Sequence, residues 1–247
     1  MNHSRSLLVA VSSTFITEAG ATPSGLNNIP TADTVPQSTL VGQAFSTFGS
    51  GTDDFWLSSK TGLDLGPANV EVGLTSRMIP DKAGPLTGHA KIALPIGEGL
   101  PAIAVGAANI AFSGADEDRA GQIFSYAMLS HDFGWLRLHG GGSLQDEDAR
   151  PFFGINKTFR SAATPAHAAT GKGVVSKGVS VGSPEIPGRD LFTLRADGIQ
   201  SGDDSWLYSA GALIPITHWL VFETWVNFPD DGQDVSLTLK LNIVHKF

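Results

Sequence analysis

The sequence predicts an all-β protein, a single antiparallel up-and-down transmembrane β-barrel of about twelve strands, within a range of roughly ten to fourteen. Three observations predict this fold class. Apolar residues recur with a period of two in segments of roughly ten residues. The connections between these segments alternate between tight turns and acidic loops. Only 16% of the residues are charged, whereas 29 are glycine, which is an unusual balance for a soluble enzyme.

The last segment shows the period of two most clearly. Val235, Leu237, Leu239, Leu241 and Ile243 are each separated by a polar residue. Successive side chains of a strand point to opposite faces, so this segment has one apolar and one polar face. The same pattern predicts strands at about 39–48, 54–65, 68–79, 87–96, 101–112, 121–131, 134–144, 151–159, 190–200, 205–215, 218–228 and 234–247.

The length of these segments favours a membrane barrel over a soluble sandwich. A tilted strand needs about nine to eleven residues to cross the hydrocarbon layer, whereas strands in soluble proteins have a typical length of about five or six. After the N-terminal region, the sequence has no run of uncharged apolar residues that approaches the length of a transmembrane helix. We therefore expect the chain to cross the membrane with strands.

The connections predict how the barrel is oriented. Those at 66–67, 97–100, 131–134 and 216–218 are short and almost free of acidic residues, whereas the intervening ones hold fourteen of the 24 acidic residues. Alternate turns of a meander emerge on the same side, so the acidic loops are predicted on the outer rim and both termini in the periplasm. The predicted outer-loop acids are Asp116, Glu117, Asp118, Asp146, Glu147, Asp148, Asp230 and Asp231.

The ends of the chain and one long connection complete the predicted organisation. Residues 1–21 are predicted to be a secretory signal peptide, because an apolar stretch over 7–16 precedes small residues at 19–21. Residues 22–38 are predicted to form an N-terminal periplasmic segment, and 39–247 the barrel. Residues 160–190, rich in Gly, Ala, Ser and Pro, are predicted to be a flexible insertion; the alternative is an extra hairpin at 174–181.

Composition and charge argue against several classes of function. The net charge of −8 and the lack of clustered Lys and Arg argue against nucleic-acid binding. The sequence has no cysteine, and its histidines are scattered singly, so no thiolate chemistry and no metal site is predicted. No phosphate-loop motif is present, and no cofactor is predicted. The acidic loops are expected to attract divalent cations, which could bridge to lipopolysaccharide.

Polar residues on the inward-facing register carry the functional prediction. Both signs of charge occur among them, so these side chains either brace the wall in pairs or line a passage. The leading prediction is a narrow pore for small polar or ionic solutes; the alternative is a plugged structural or surface-interaction barrel without transport. The predicted lumen-lining residues are Glu71, Arg77, His89, Lys91, Arg137, His139, Arg195, Asp197, Glu223 and Lys240.

Two further alternatives belong to other classes. One is a soluble, secreted all-β binding module with a closed core. The other is a membrane-embedded hydrolase, with His139 as the base. Ser143 lies on the same face as His139, but it is four residues along the strand, about 13 Å away, so the nucleophile would have to come from a neighbouring strand, such as Ser125. No catalytic residue is predicted.

The aromatic residues fit a membrane interface. Four of the five Trp residues, together with Tyr126 and Tyr208, lie near the predicted strand ends, where amphipathic rings meet the lipid headgroups. Trp225 is the exception, because it falls within a strand.

Three stretches resemble bacterial outer-membrane β-barrel proteins of an uncharacterised, porin-like family. Phe247 ends an alternating strand, which resembles the signal read by the barrel-assembly machinery, although His245 replaces a more usual aromatic residue. The segments 28–36 and 188–209 resemble the same proteins. The resemblance implies a location in the outer membrane of a Gram-negative bacterium, with outer-membrane lipids, lipopolysaccharide and the assembly machinery as partners.

Overall fold

Strands dominate the computed structural model, which describes residues 23–49, 54–79, 82–97, 99–113, 122–145, 148–161, 164–165, 185–186, 189–201 and 204–247. The strands are β1 (Thr39–Phe48), β2 (Asp54–Leu65), β3 (Ala68–Ile79), β4 (Lys82–Pro95), β5 (Ala102–Ser113), β6 (Phe124–Asp132), β7 (Arg137–Gln145), β8 (Asp148–Arg160), β9 (Thr164–Pro165), β10 (Glu185–Ile186), β11 (Asp190–Gln200), β12 (Trp206–Pro215), β13 (Leu220–Pro229) and β14 (Ser236–Lys246). Within these ranges there is no helix long and apolar enough to span a membrane.

Twelve strands form one closed antiparallel barrel. Each of β1–β8 and β11–β14 pairs with its neighbours in chain order, and β1 closes the ring by pairing with β14. Thr39 is opposite Lys246 at one end of that last pair, and Phe48 is opposite Leu237 at the other. Closure pairs the edge strands with each other. The predicted fold class and strand number are confirmed.

The barrel has apolar side chains on its outer face and polar side chains inside, which is the reverse of a soluble protein. Large apolar residues such as Leu57, Leu94 and Leu129 are more than 40% exposed on the outer face. Polar residues such as Thr75 and Thr238 are buried inside. An apolar exterior around a polar interior suits lipid and would be unfavourable in water, which rules out the soluble module with a closed apolar core.

Both termini of the barrel lie at the same end. The Phe247 amide donates a 2.9 Å hydrogen bond to the Ser38 carbonyl oxygen, and the short connections at 66–67, 96–101, 133–136 and 216–219 lie at this end too. Asp148, Asp230 and Asp231 lie towards the opposite end, as the parity of the strands requires. The predicted acidic residues Asp116, Glu117, Asp118, Asp146 and Glu147 lie outside the described residues.

The predicted aromatic belt is only partly correct. Trp135 and Trp219 are exposed near the end of the barrel that holds the termini. Trp56 and Tyr126, which were predicted to join the belt, are instead buried inside the barrel. The reason is register: Trp56 shares its face with the buried Ser58, and Tyr126 shares its face with the buried Met128. Trp225, the predicted exception, is also buried inside.

The long connection between β8 and β11 is described only in part. Its two short strands, β9 and β10, pair with each other, with Glu185 opposite Pro165. Residues 166–184 lie outside the described residues, and the alternative hairpin predicted at 174–181 lies there as well. Most of the predicted flexible insertion at 160–190 therefore stays a prediction.

The position of the N-terminal segment corrects the sequence prediction. Residues 22–38 were predicted to form a periplasmic segment, but most of 23–35 is buried inside the barrel, and only 36–38 are exposed together at the end that holds the termini. Leu26, Asn28 and Ile29 are each less than 10% exposed, and their surroundings are the inner surfaces of the strands. The physical reason is that a twelve-stranded barrel encloses space, and both polar and apolar groups of this segment find partners on the wall.

Candidate functional site

The N-terminal segment forms a small hairpin inside the barrel. The Leu26 amide donates to the Ile29 carbonyl oxygen at 3.0 Å, and the Thr31 amide donates to the Ser24 carbonyl oxygen at 3.1 Å. Asn27 and Asn28 form the tip between them. These two bonds satisfy the backbone of the turn internally, so its other polar groups point towards the wall. We call residues 23–36 the plug segment.

Two opposite charges on neighbouring strands hold the base of the plug segment. Glu71 accepts hydrogen bonds from the Ser24 amide at 2.7 Å and from the Val35 amide at 2.8 Å, one at each carboxylate oxygen. The Lys91 ammonium donates to the Ser24 carbonyl oxygen at 2.7 Å, to the Thr31 carbonyl oxygen at 3.2 Å and to the Asp33 carbonyl oxygen. Such charge-assisted bonds are stronger than bonds between neutral groups.

Glu71 and Lys91 also balance each other's charge. They are register partners on β3 and β4, with Nζ and Oε1 3.9 Å apart, and both side chains are fully buried. His89 Nε2 lies 3.3 Å from the same carboxylate oxygen. The His89 ring packs over Gly73, where a Cβ atom would lie 2.4 Å from the ring carbon Cε1. Buried charges need such compensation, because removing water from them is costly.

A second carboxylate holds the tip. Asp197 Oδ2 accepts hydrogen bonds from the Asn27 amide at 2.8 Å and the Asn28 amide at 3.1 Å, while its Oδ1 accepts one from Ser209 at 2.7 Å. The side chain of Asn28 donates to Asn227 Oδ1 at 2.9 Å. Two consecutive amides that point at one carboxylate are a common way of binding an anionic group.

A serine, a histidine and an asparagine on three adjacent strands hold a third point. The Ala32 amide donates to Ser130 Oγ at 3.0 Å, Ser130 Oγ lies 2.8 Å from His139 Nδ1, and His139 Nε2 lies 3.0 Å from Asn156 Oδ1. These types of residue also form nucleophile, base and orienting group in hydrolases. Here Ser130 is buried, and its oxygen is engaged by the Ala32 amide.

The predicted pairings of His139 differ from this arrangement. Ser143 is on the same face, but its hydroxyl donates to the Arg150 carbonyl oxygen. Ser125 is exposed on the outer face of β6. The serine that contacts His139 is its register partner on β6, Ser130, which the sequence analysis missed. Register could have identified it, because partners across two strands lie side by side.

One side of the lumen is apolar and packs against the plug segment. Leu26, Ile29 and Ala32 form a buried cluster with inward-facing residues of β4, β5, β6, β8, β11 and β12. Gly154 leaves room for the tip, since a Cβ atom there would lie 2.4 Å from Leu26 Cδ1 and 2.8 Å from Ile29 Cδ1. The wall residues of this cluster are Ala93, Ala104, Tyr126, Met128, Phe152, Ile199 and Leu207.

The opposite side of the lumen carries polar and charged side chains among apolar ones such as Val41 and Val221, and it leaves a cavity of about 350 Å³ beside the plug segment. Its wall includes Gln43 of β1, Lys60 of β2, Glu223 of β13 and Asn242 of β14. Its lining extends from Val244, near the end of the barrel that holds the termini, to residues of the other end such as Gln145. The plug segment therefore occupies the lumen unevenly, close to the apolar wall.

A network of ion pairs and amides organises the polar wall. Glu223 accepts hydrogen bonds from Arg195 and from Asn242, each at 2.7 Å, and its Oε1 lies 4.0 Å from the Lys240 ammonium. Gln43 donates to Asn242 Oδ1 at 2.6 Å. These groups come from β1, β11, β13 and β14, so the network spans a large part of the wall.

The predicted lumen-lining residues occupy two kinds of position. Those with buried side chains are Glu71, His89, Lys91, His139, Arg195, Asp197, Glu223 and Lys240. The other two lie towards the ends of the barrel, where Arg77 pairs with Asp54 and Arg137 donates to Asp33 at 2.6 Å. Sequence reasoning missed Asp54, Lys60 and the whole plug segment.

The described residues hold no group of three or more His, Cys, Asp or Glu side chains that could bind a metal ion. Asp148 pairs loosely with Arg150, at 3.9 Å, and Asp230 accepts a bond from the Trp206 amide at 2.7 Å. Divalent cations at the outer loops stay a prediction, because most of those loops lie outside the described residues.

Comparison with known proteins identifies the fold. No protein-family model matches this chain, and no curated protein matches its sequence. Among solved structures, it is similar to the KdgM porin, with a TM-score of 0.51 at 4% identity over 82% of this chain and 98% of that one. The same porin in complex with disordered oligogalacturonate matches with a TM-score of 0.50, at 4% identity and the same coverage.

An outer-membrane channel from Pseudomonas putida matches with a TM-score of 0.48 at 10% identity, over 87% of this chain and 98% of that one. Similarity at such identities shows the fold alone. The chain therefore has the barrel fold of bacterial outer-membrane porins, as the sequence predicted, and the bacterial outer membrane is where barrels of this fold reside.

Proposed function

We propose that this chain is a narrow outer-membrane channel for small polar or ionic solutes, whose passage is restricted by the plug segment. The observation that carries the proposal is the cavity beside the plug segment, with a lining that holds charged and amide side chains and includes residues near both ends of the barrel. A barrel that served only as a scaffold would gain stability by filling this space with packed side chains. Instead, the space stays open and charged and amide groups line part of it.

The width of the barrel agrees with this proposal. Eight strands enclose little more than their own side chains, whereas barrels of sixteen or more strands hold a wide aqueous channel. With twelve strands, the plug segment fills only part of the lumen. The remaining passage beside Gln43, Lys60 and Glu223 is suited to hydrated ions and small polar molecules.

The second candidate is a plugged structural barrel without transport. The favouring observation is the number of independent anchors on the plug segment: Glu71, Lys91, Asp197 and Ser130 each bond to its backbone. A hairpin held at its base, its tip and its return strand is not expected to leave the lumen readily. The two candidates differ in whether ions pass beside the segment.

Planar-bilayer recording separates the two candidates. The purified mature chain is compared with a variant that lacks residues 23–36, which removes the backbone groups held by Glu71, Lys91, Asp197 and Ser130. The channel proposal predicts small conductance steps for the mature chain and larger ones for the variant. Absence of conductance from the mature chain, shown to be folded by heat-modifiable migration, would favour the structural barrel, whether or not the variant conducts.

A further inference from the structure

The structure assigns a binding site for a small oxyanion, a carboxylate or phosphate group, to the polar side of the lumen beside the plug segment. The site deepens the proposed function, because a group that binds in the lumen also selects what passes through it. Lys60 is its central residue, and Arg195 and Lys240 are the other cations of the cavity wall.

The first observation is an excess of positive charge around the cavity. Lys60, Arg195 and Lys240 face it from the wall, while Glu223 is the one carboxylate among the described wall residues that line it. Asp33 of the plug segment also lines the cavity, but its carboxylate accepts a 2.6 Å hydrogen bond from Arg137. Glu223 is shared between Arg195 and Lys240, so it does not neutralise both.

The second observation is that Lys60 lacks a partner of its own. It is only 7% exposed, yet none of the ion pairs or hydrogen bonds among the described residues involves its ammonium. Glu71 and Glu223 act on it only from beyond ion-pair distance, and they are engaged by Lys91 and by Arg195 and Lys240. Lysine is rarely buried this far without compensation, because desolvating an ammonium is costly. A negatively charged solute in the cavity would supply the missing charge.

The third observation is a set of unused polar atoms on the same cavity. Arg195 Nε and Gln43 Oε1 are buried and have no hydrogen-bond partner among the described residues. Asn27 Oδ1, on the plug segment, is likewise buried and without a hydrogen-bond partner among the described residues. These three atoms have almost no accessible surface, so an oxyanion would bond first to the Lys60 ammonium and would reach Arg195 Nε only if the side chains beside it shifted.

The strand register brings these groups to one stretch of wall. Lys60 on β2 is opposite Val41 on β1, and Gln43, two residues further on β1, is opposite Asn242 on β14. Glu223 on β13 is opposite Lys240 on β14. The Lys240 ammonium also lies 6.0 Å from the centre of the Phe45 ring, which keeps it along the wall. The site is therefore built from strands, whose positions are fixed by the barrel.

The size and polarity of the cavity define the class of ligand. A volume of about 350 Å³ is at the lower end of the range for small-molecule sites. The lining also includes apolar side chains such as Val41, Leu213 and Val221, so a small molecule that combines one oxyanion group with an apolar part fits best. Inorganic phosphate and acetate are the simplest probes of this chemistry.

Calorimetric titration of the full mature chain in detergent tests the site without requiring transport. Phosphate and acetate are added separately at constant ionic strength against chloride. We expect saturable binding of at least one of them, at least tenfold weaker in Lys60→Gln and retained in Lys60→Arg. Lys157→Gln is the matched control, because Lys157 pairs with the outward-facing Leu194. Absence of saturable binding to folded wild-type protein, or equal binding by Lys60→Gln, would overturn the proposal.

Reversal potentials in a salt gradient separate this site from the proposed function. With chloride as the anion, we expect the wild-type channel to prefer anions and Lys60→Gln to shift towards cations, while Lys157→Gln does not shift. Binding without any conductance would support the anion site and contradict the channel proposal. Conductance with no anion preference and no binding would support the channel proposal and contradict the anion site.

Discussion

Lys91 and Ser24 are 67 residues apart in the chain, yet the Lys91 ammonium donates a 2.7 Å hydrogen bond to the Ser24 carbonyl oxygen inside the barrel. The same ammonium binds two more carbonyl oxygens of the plug segment, and Glu71 beside it binds two of the segment's amides. A buried ion pair of the wall thus also serves as the anchor of the hairpin. Wall and plug segment are therefore expected to respond together when either charge is removed.

Glu71→Gln is expected to loosen the base of the plug segment. The amide replaces an anion that accepts two backbone bonds, and it leaves Lys91 buried without its counter-charge, a loss of about 3–5 kcal/mol for a fully buried pair. Hydrogen–deuterium exchange of residues 23–36 should become faster by orders of magnitude. Glu223→Gln is the control, because Glu223 contacts only the wall. Equal protection in Glu71→Gln and wild type would contradict the anchoring role.

Asp197→Asn is expected to free the tip of the hairpin. The neutral amide weakens the bonds from the Asn27 and Asn28 amides, which as charge-assisted bonds contribute about 1.5–3 kcal/mol each. Exchange of those two amides should accelerate more than exchange near Ser24. Asp64→Asn, in the exposed turn where Asp64 accepts a bond from the Gly66 amide, serves as the control. Unchanged exchange at the tip would show that Asp197 does not hold it.

Gly154→Val is expected to push the plug segment away from the apolar wall. Its branched side chain would overlap Leu26 and Ile29, and overpacking of this kind costs about 1–3 kcal/mol. The conductance of the channel should change while the barrel keeps its heat-modifiable migration. Gly140→Val is the matched control, since a Cβ atom at Gly140 would meet nothing within 4 Å. The same conductance change in both variants would contradict the claim that Gly154 leaves room for the plug segment.

Deletion of Phe247 is expected to impair assembly in the outer membrane. The Phe247 side chain is 74% exposed, and its amide closes the end of the barrel by donating to the Ser38 carbonyl oxygen. The heat-modifiable species should fall strongly, with unfolded chain accumulating. Lys246→Ala, next to it and also exposed, should assemble normally. Normal assembly without Phe247 would show that the residue is not part of the signal.

The barrel could be predicted from the sequence because its information is local. A strand such as β14 must present Leu237, Leu239 and Leu241 to one side and Thr238 and Lys240 to the other, whatever its neighbours are. Twelve repeats of that pattern fix the strand number. The alternation of short turns and acidic loops then shows which connections lie at each end of the barrel.

The plug segment could not be predicted in this way. Residues 23–36 have no period, and their partners are distant in sequence: Asp197 is 170 residues from Asn27. Composition alone made the segment look like a linker, because Pro, Ser, Asn and Thr are as common in exposed loops. Lys60 was overlooked for a related reason. Lys60 faces inward, but what distinguishes it is that no carboxylate of the described residues lies within ion-pair distance of its ammonium, and that depends on all the surrounding strands.

Cross-linking of the plug tip to the wall tests the central claim, that the N-terminal segment occupies the lumen. The chain has no cysteine, so Asn28→Cys with Asn227→Cys introduces a unique pair at a contact that now measures 2.9 Å between the two side chains. Asn227→Cys with Ser236→Cys, register partners on β13 and β14, is the positive control. After treatment of whole cells with a short thiol cross-linker, mass spectrometry should find both pairs linked. Cross-linking of the control pair, with residues 28 and 227 left unlinked, would contradict the account.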